Sequence, residues 1–159
     1  MLILKDKFDC YMRELNLPKF QFKVKETPKG RKVWDDFRKK YILLTPEEWV
    51  RQHFLKFLNI NLKYPKSLIR TEFEIRYNQL KKRPDIVAYN KEGSPFLIVE
   101  CKAPDVKISN ETFSQAALYN QTLKAKYIVI TNGLDHFCCE QNEKTGTFQF
   151  IEKIPVCNF

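Results

Sequence analysis

Two apolar segments on either side of a short polar one constrain this chain most, because they predict a β-hairpin with charged ends. Residues 83–90 (RPDIVAYN) and 95–102 (PFLIVECK) are both rich in the branched and aromatic residues typical of strands. Between them, residues 91–94 (KEGS) are typical of a turn. If these four residues form the loop, Asn90 pairs with Pro95, which fixes the register of the whole hairpin.

The predicted register brings two carboxylates and a lysine together. Counting back from the turn places Asp85 opposite Glu100, and the Cβ atoms of directly opposed residues lie about 4.5–5.5 Å apart. Side chains alternate between the two faces of a strand, so Glu100 and Lys102 share a face and Cys101 points the other way. The hairpin is therefore expected to carry two acids and one base in a single patch.

The same alternation predicts which apolar side chains accompany the acids. On the first strand, Val87 and Tyr89 join Asp85. On the second strand, Ile98 and Phe96 lie opposite them. These side chains are expected to form one face of the hairpin.

Two like charges that face each other destabilise a sheet unless something offsets the repulsion. A hard cation does so, since Mg²⁺ is commonly held by one or two carboxylates together with phosphate oxygens of a substrate. An ordinary salt bridge between Lys102 and one of the carboxylates is the alternative. The apolar run at residues 96–99 favours the metal site, because it indicates that Glu100 ends a buried strand, where an unpartnered charge is costly.

The composition favours a single domain with an anionic partner. The chain has 159 residues, with 28 Lys and Arg against 19 Asp and Glu, and hence a net charge of +9. Nucleic acid is the usual partner of such a surplus, although basic residues also serve solubility. The five cysteines form no CxxC pair, and we find no signal peptide or long apolar run. We therefore expect a cytoplasmic protein with free thiols and no membrane segment.

The remaining periodicities predict a mixed α/β domain around the hairpin. Thr45, Pro46 and Glu48 indicate a helix start, with Thr45 as the N-cap, Pro46 at the first position and Glu48 completing a capping box. The predicted order is a strand at 19–25, a short helix at 34–40, a helix at 45–59, strands at 68–77, 83–90 and 95–102, a helix at 109–124, a strand at 127–131, and a closing hairpin at 135–141 and 147–152.

Four short motifs stand in order along these elements. They are Thr45-Pro46-Glu47-Glu48-x-x-Arg51-Gln52, Pro84-Asp85, Pro95-x-x-x-x-Glu100-Cys101-Lys102 and Gln115-x-x-x-Tyr119. Together they resemble the PD-(D/E)XK nuclease superfamily, and within it the N-terminal nuclease domain of type I restriction enzyme R subunits. The resemblance implies an α/β fold with a restriction-endonuclease-like core (α-β-β-β-α-β), in which helices flank a mixed sheet and extra strands follow at the C-terminus. The chain would be a single nuclease-like domain of residues 1–159, with an N-terminal elaboration (1–44), the core (45–141) and a closing strand and tail (142–159).

The resemblance implies a divalent-metal-dependent endonuclease that hydrolyses DNA as part of a restriction or defence system. Asp85 and Glu100 would bind Mg²⁺ or Mn²⁺, and the main-chain carbonyl of Cys101 would add a further oxygen. The metal would polarise the scissile phosphate and help to generate hydroxide, while Lys102 would orient that water or stabilise the developing charge. The sequence has no GxxxxGK[ST] motif, so ATP-driven translocation is not implied.

Related nucleases often take a third acid from the first helix, and Glu47 and Glu48 are the two candidates. Glu48 has a local explanation as a capping residue. Glu47 lies about 60° around the helix from Val50, near the direction of Phe54, at 100° per residue. It therefore leans toward the sheet and is the predicted metal ligand. The alternative is that an acid in the first turn is simply favoured by the helix dipole.

Two further groups of residues are candidates for contacts with DNA. Gln115 and Tyr119 share a helix face. They either contact phosphates or water near the metal, or have a structural role in which the tyrosine packs on the sheet and the glutamine lies at its edge. Lys81, Lys82 and Arg83 run into the first hairpin strand. They either contact phosphates at the rim of the site or form a solvated basic turn.

A second class of function is a nucleic-acid-binding or complex-assembly module that keeps the nuclease fold without catalysis. The intact set of Asp85, Glu100 and Lys102 favours the enzyme, since a module without chemistry need not hold two facing acids. The expected partners are DNA and other subunits of a restriction or defence complex. His53 and His136 have no partner at a useful spacing and are interpreted as structural.

Overall fold

The fold is known from a computed structural model that describes residues 13–72, 74–77 and 80–159, with the backbone alone at residues 75, 77, 80 and 82. Its strands are β1 Val24–Thr27, β2 Gly30–Asp35, β3 Lys40–Leu43, β4 Ile69–Thr71, β5 Ile75–Tyr77, β6 Leu80–Lys82, β7 Ile86–Tyr89, β8 Pro95–Cys101, β9 Tyr127–Thr131, β10 His136–Gln141 and β11 Phe148–Ile151. Its α-helices are α1 Pro46–Lys56, which runs into a π-helical turn at Phe57–Asn61, and α2 Asn110–Leu123. A short 3₁₀ turn, Lys66–Leu68, precedes β4.

Six of the described strands form one mixed sheet in the order β11-β10-β9-β8-β7-β4. Strands β8 and β9 are parallel, and the other neighbours are antiparallel. Helix α2 is the crossover connection that two neighbouring parallel strands require. This arrangement confirms the mixed α/β class that the sequence predicts.

The two helices cover opposite faces of the sheet. The larger apolar cluster joins α1 to one face, with buried members that include Val50, Phe54, Val99, Cys101 and Val129. On the other face, Ala116 of α2 packs on Ile128 and Ile130. Both faces of the central strands are therefore dry, which explains why β8 is apolar along most of its length rather than alternating.

Helix α1 begins where the sequence predicts. The Thr45 hydroxyl accepts a hydrogen bond from the Glu48 amide at 3.0 Å, and Pro46 occupies the first helical position. The other half of the predicted capping box is wrong, because the Glu48 carboxylate accepts its hydrogen bonds from Arg38 and other side chains. The α-helix gives way to the π-helical turn Phe57–Asn61 three residues before the predicted end.

The β7–β8 hairpin has the predicted register at the end that carries the acids. Val87 pairs with Ile98, and the ladder continues by one further pair toward the two acids. Asp85 and Glu100 are the residues next to that last pair, Ile86 and Val99, so the same register places them opposite each other. Val87 and Ile98 share a small apolar cluster with Tyr89, as the alternation predicts.

Near the turn of this hairpin the prediction is wrong. A β-bulge shifts the register, so that Tyr89 rather than Asn90 pairs with Pro95. The extra residue in β8 turns Phe96 to the face opposite the one predicted, where its ring centroid lies 5.2 Å from that of Tyr127. The bulge leaves the register at the acidic end unchanged.

The predicted strand over residues 68–77 is broken in two. Strand β4 pairs with β7 in the main sheet, whereas β5 and β6 form a separate two-stranded sheet. The break falls at Glu72, whose φ of 46° lies in the left-handed region that a strand cannot accommodate. Alternation of apolar residues continues across the break, so the sequence pattern gives no sign of it.

A three-stranded antiparallel sheet, β1-β2-β3, precedes the core. The predicted strand at residues 19–25 begins later, at Val24. The predicted helix at 34–40 is wrong, since these residues form the end of β2, a turn and the start of β3.

Asp35 determines this turn. Its carboxylate accepts hydrogen bonds from the main-chain amides of Phe37 and Arg38 at 2.7 and 2.9 Å, the local bonding by which an aspartate closes a turn. Lys39 completes the turn with a left-handed φ of 54°. The side-chain bonds of one aspartate therefore replace the helix that the apolar spacing predicts.

The C-terminal half follows the prediction. Ser109 caps α2, with its hydroxyl 3.4 Å from the Thr112 amide, and β9, β10 and β11 occupy the predicted strand and closing hairpin. Over the described ranges, no helix combines the length and the apolar character needed to cross a membrane.

Candidate active site

Asp85 is held between β8 and α1. It stands immediately before β7 and is only 7% exposed. One carboxylate oxygen accepts a hydrogen bond from the main-chain amide of Cys101 at 2.7 Å, and the other forms an ion pair with the Arg51 guanidinium at 2.5 Å. The orientation of the carboxylate is thus fixed from two sides.

Glu100 is a buried carboxylate with one oxygen left without a partner. It is 6% exposed. Its Oε1 lies 3.4 Å from the Lys102 ammonium, whereas its buried Oε2 has no hydrogen-bond partner among the residues that the structure describes. Burial raises the pKa of Glu100 to about 8, and the negative charge of Asp85 adds to the rise while Lys102 opposes it. A cation beside Oε2 would relieve both the repulsion and the unsatisfied oxygen.

Lys102 follows β8 with its ammonium beside the acids. Its side chain is 24% exposed, and its charge opposes the rise in the pKa of Glu100 and of Glu47. The main-chain amide of Lys102 donates to the Thr131 carbonyl at 2.8 Å, which ties this position to β9. Cys101 lies between the two functional side chains with its thiol in the core on the other face, as predicted.

Of the two candidate acids on α1, Glu47 is the one whose pKa is affected by the charges of Asp85 and Lys102. Its side chain is 43% exposed and lies 3.0 Å from the Arg51 guanidinium. Burial raises the pKa of Glu47, and the negative charge of Asp85 raises it further. Glu48 is buried instead in contacts with Arg38 and Arg51. Glu47 as a metal ligand stays a prediction.

Beside the acids lies a buried ion network that reasoning from motifs missed. Its members are Asp35, Arg38, Glu48, Arg51, Gln52 and Glu72. The Nη2 atom of Arg51 contacts Glu47 and Asp85, while its Nη1 atom contacts Glu48 and Glu72. The signal that could have indicated part of it is the spacing of two acids three and four residues before an arginine on one helix.

Arg51 also brings two of the predicted ligands near each other. Its Nη2 lies 2.5 Å from Asp85 Oδ1 and 3.0 Å from Glu47 Oε1, so these oxygens are at most 5.5 Å apart, the sum of the two distances. Burial acts to lower the pKa of Arg51, but the charges of Asp85 and Glu48 outweigh it and raise that pKa. The guanidinium therefore remains positive at any pH at which the protein is folded.

Tyr119 and Gln115 lie one turn apart on α2 and differ in exposure. The phenol of Tyr119 is half-buried, and its pKa is raised by burial and then by the charges of Glu100 and Asp85, so it lies within electrostatic reach of the acids. Gln115 is exposed. The structure thus associates Tyr119 with the site, whereas a role for either residue in DNA contact stays a prediction.

The basic run before β7 is engaged with an acid outside the candidate site. The Lys81 ammonium lies 3.4 Å from the Glu74 carboxylate, and the Arg83 guanidinium lies 3.9 Å from it. Both side chains are largely exposed, so these are weak surface pairs. The side chain of Lys82 falls outside the described part of the structure.

The two histidines are bonded within the fold. His53 is buried, with Nδ1 2.9 Å from the Trp49 carbonyl, and burial lowers its pKa. His136 lies between the Thr131 hydroxyl at 2.7 Å and the Asn16 carbonyl at 2.8 Å. These contacts support the structural interpretation of both residues.

The donors at the site suit a hard cation. The carboxylates of Asp85 and Glu100 are oxygen donors, and the orphaned Glu100 Oε2 is the acceptor that a cation would satisfy. In the part of the chain that the structure describes, no group of three or more His, Cys, Asp or Glu side chains is placed to coordinate a metal ion. An ion here would therefore need further oxygens, from main chain, water, substrate or an acid that moves toward it, and oxygens from outside the protein are usual for Mg²⁺.

Comparison with known proteins places this site in a family. A model of the family described as the type I restriction enzyme R protein N terminus matches residues 46–155, or 110 of the 159 residues. The chain belongs to this family. The match includes the hairpin, both helices and all the predicted ligands, and it begins after the sheet β1-β2-β3.

The comparison also finds a similar fold among solved structures. One such structure is a fragment described as an HsdR subunit of a type I restriction enzyme from Vibrio vulnificus YJ016, with a TM-score of 0.51 and 18% sequence identity. The alignment covers 69% of this chain and 23% of that one, so the chain spans about a quarter of the length of the fragment. At this identity the likeness concerns the fold alone. Among curated proteins, no sequence matches the chain.

Proposed function

We propose that the protein is a divalent-metal-dependent endonuclease that hydrolyses phosphodiester bonds of DNA within a restriction or defence system. The observation that carries the proposal is Glu100, a buried acid opposite Asp85 with an oxygen that lacks a partner and a lysine beside it. Membership of the restriction enzyme R family supports the same chemistry. We further propose that α1, β4, β7, β8, α2 and β9 correspond to a restriction-endonuclease-like core.

In this proposal Asp85 and Glu100 hold Mg²⁺ or Mn²⁺, with Glu47 and the Cys101 carbonyl as further ligands. The ion supplies Lewis-acid chemistry, polarising a phosphate oxygen and lowering the pKa of bound water. Lys102 carries a fixed positive charge beside the acids and stabilises negative charge that develops on the phosphate in the transition state. Arg51 and the Cys101 amide hold the Asp85 carboxylate in place.

The direct test is nicking of supercoiled plasmid DNA by the purified protein. Cleavage is expected with Mg²⁺ or Mn²⁺, and none with EDTA. Lys102→Ala should abolish it, whereas Lys91→Ala should not, because that exposed lysine lies at the turn of the same hairpin and its loss changes the net charge equally. If neither ion supports cleavage by the parent protein, the enzyme proposal fails.

A non-catalytic DNA-binding module is the second candidate, and the Arg51–Asp85 ion pair is the observation that favours it. A guanidinium at 2.5 Å already compensates the Asp85 charge, so that residue can be stable without a metal. A gel shift in EDTA, beside the nicking assay, separates the candidates. Binding without cleavage under any divalent ion would support the module.

A further inference from the structure

Besides Asp35, the sheet β1-β2-β3 contributes a basic side chain to the ion network, although the sheet lies outside the residues that the family model matches. That side chain is Arg38, in the turn between β2 and β3. It is 15% exposed, and besides Asp35 of β2 it contacts carboxylates of α1 and of the residue after β4. The N-terminal sheet therefore reaches the layer directly behind the candidate active site.

Arg38 uses all three nitrogens of its guanidinium. Its Nε donates to Asp35 at 2.5 Å, its Nη2 to Glu48 at 2.7 Å, and its Nη1 to Glu72. Asp35 is itself fixed by main-chain amides of the turn and by Gln52 of α1, whose amide donates to it at 2.9 Å. The rigid planar fork of an arginine suits this geometry, and a lysine ammonium cannot reproduce it.

Glu48 and Glu72 are shared between two arginines. Each has one oxygen on Arg38 and the other on Arg51, so the four side chains close a ring of ion pairs. The remaining terminal nitrogen of Arg51 faces Asp85 and Glu47. Arg38 and Arg51 thus bind the same two carboxylates. The position of Arg38 therefore determines how closely Arg51 can approach Glu48 and Glu72, and how closely it can approach Asp85.

Removal of Arg38 would leave two acids competing for a single guanidinium. Glu48 is buried, and a buried acid that loses its partner is strongly destabilising unless the neighbouring charges rearrange. The rearrangement open to Arg51 is a closer approach to Glu48 and Glu72. That movement would loosen its contact with Asp85 and leave the carboxylate free to turn away from the candidate metal site. We expect this loss of orientation to outweigh the weaker repulsion of a cation by the more distant guanidinium.

We propose that Arg38 is a positioning residue for the metal site, acting through Glu48, Glu72 and Arg51 to fix the carboxylate of Asp85. The N-terminal sheet would thus complete the active site. This inference rests on the proposed function, because it assumes that Asp85 binds a divalent cation.

The test is the affinity for Mn²⁺, measured by calorimetry on the full chain without DNA, with folding checked by thermal melting in EDTA. Arg38→Gln should bind Mn²⁺ more weakly than the parent, by at most the roughly ten- to hundredfold that removal of a direct partner of a metal ligand usually causes. The matched control is Arg31→Gln, which removes an arginine of the same sheet whose ion pair with Glu26 is at the surface. Its affinity should equal that of the parent.

Arg38→Lys keeps the positive charge and is the alternative test variant if Arg38→Gln does not fold. Because one ammonium cannot reach three carboxylates in the same geometry, its Mn²⁺ affinity should also fall, though by less. A folded Arg38→Gln or Arg38→Lys protein that binds Mn²⁺ as tightly as the parent, or more tightly, overturns the inference and leaves the proposed function intact. A parent that binds no Mn²⁺ overturns both.

Discussion

Glu100 is the residue whose environment most requires explanation, because a carboxylate is rarely buried without a partner for both oxygens. One oxygen has the Lys102 ammonium at 3.4 Å, and the other has no hydrogen-bond partner within the described part of the chain. Because of this arrangement, burial and the charge of Asp85 raise the pKa of Glu100 to about 8. The raised pKa means that ionising Glu100 costs the folded protein more free energy than it costs the unfolded chain.

Glu100→Gln should therefore raise stability in the absence of divalent ions. The amide has a similar shape and can donate toward Asp85, which removes the buried unpaired charge. Relief of one unsatisfied buried group is worth about 1–3 kcal/mol, or roughly 2–4 °C in Tm per kcal/mol for a chain of this size. Thermal melting in EDTA at pH 8.5 or above should show the variant to be the more stable protein. A lower Tm than that of the parent would show that the carboxylate is well accommodated.

The stability of the parent should depend on pH in a direction that Glu100 determines. Its folded pKa lies above the unfolded value of about 4.3. The contribution of protonated Glu100 to the free energy of unfolding is thus fully present below pH ~4.3 and is lost as pH rises to about 8. In EDTA, denaturant melts should show this loss for the parent and not for Glu100→Gln. Mg²⁺ should restore stability at high pH to the parent alone, and equal restoration in both proteins would place the ion elsewhere.

Lys102→Ala should remove turnover and spare binding. Its side chain is not part of an apolar cluster, so no core cavity opens. Its positive charge repels a cation, and metal affinity should hold or rise slightly. For a group that stabilises transition-state charge, the expected loss is about a hundred- to a thousandfold in kcat. Single-turnover cleavage beside Lys91→Ala measures this loss, and a folded variant that cleaves at the parent rate would remove Lys102 from the mechanism.

Among the elements, the β7–β8 hairpin was the most predictable. Its register at Asp85 and Glu100 follows from the turn and from the two-residue period, because a slip of one residue would turn every apolar side chain to the wrong face. The bulge beside Tyr89 was not predictable, since the apolar run of β8 gives no indication of which residue is extra. Phe96 is misplaced for that reason alone, and the site is not affected.

The N-terminal sheet and the ion network were not predictable for a different reason. The apolar spacing of residues 34–40 fits a helix, but the bonds of the Asp35 carboxylate to two amides decide in favour of a turn. The network joins residues far apart in the chain, such as Arg38 and Glu72, and pattern reasoning detects only pairs within one element. The first motif contains Arg51, but the sequence assigns it no role, because its contact with Asp85 depends on how α1 packs on the sheet.

Asp35→Asn tests the β2–β3 turn as an element. Burial acts to raise the pKa of Asp35, but hydrogen bonds from Arg38 and Phe37 and the charge of Arg38 outweigh it and lower the pKa. Its stabilisation is present above the unfolded pKa of about 3.9 and is lost as pH falls through the lower folded value. The variant should lose about 1.5–3 kcal/mol at pH 7. Urea melts should show a smaller difference between the proteins at pH 3, and a constant difference would contradict the assigned shift.

At the scale of the whole molecule, the charge of +9 is the property most relevant to a nucleic-acid partner. We predict that DNA binding survives EDTA and weakens steeply with salt, because neutralised phosphates release counterions. Neutralisation of two phosphates would give a slope near −1.8 in log affinity against log salt, or about tenfold weaker binding between roughly 50 and 200 mM salt, and a larger number would give a steeper slope. Fluorescence anisotropy with a duplex measures the slope. Affinity independent of salt would contradict an electrostatic interface.

The position of a bound ion tests the central claim most directly. Crystals of the parent grown with Mn²⁺ and measured at a wavelength where manganese scatters anomalously should show a peak within coordination distance of both Asp85 and Glu100. The same peak should be absent from crystals of Glu100→Gln. A parent structure at saturating Mn²⁺ with no ion between these carboxylates, and with Glu100 Oε2 still lacking a partner, would contradict the proposed metal site.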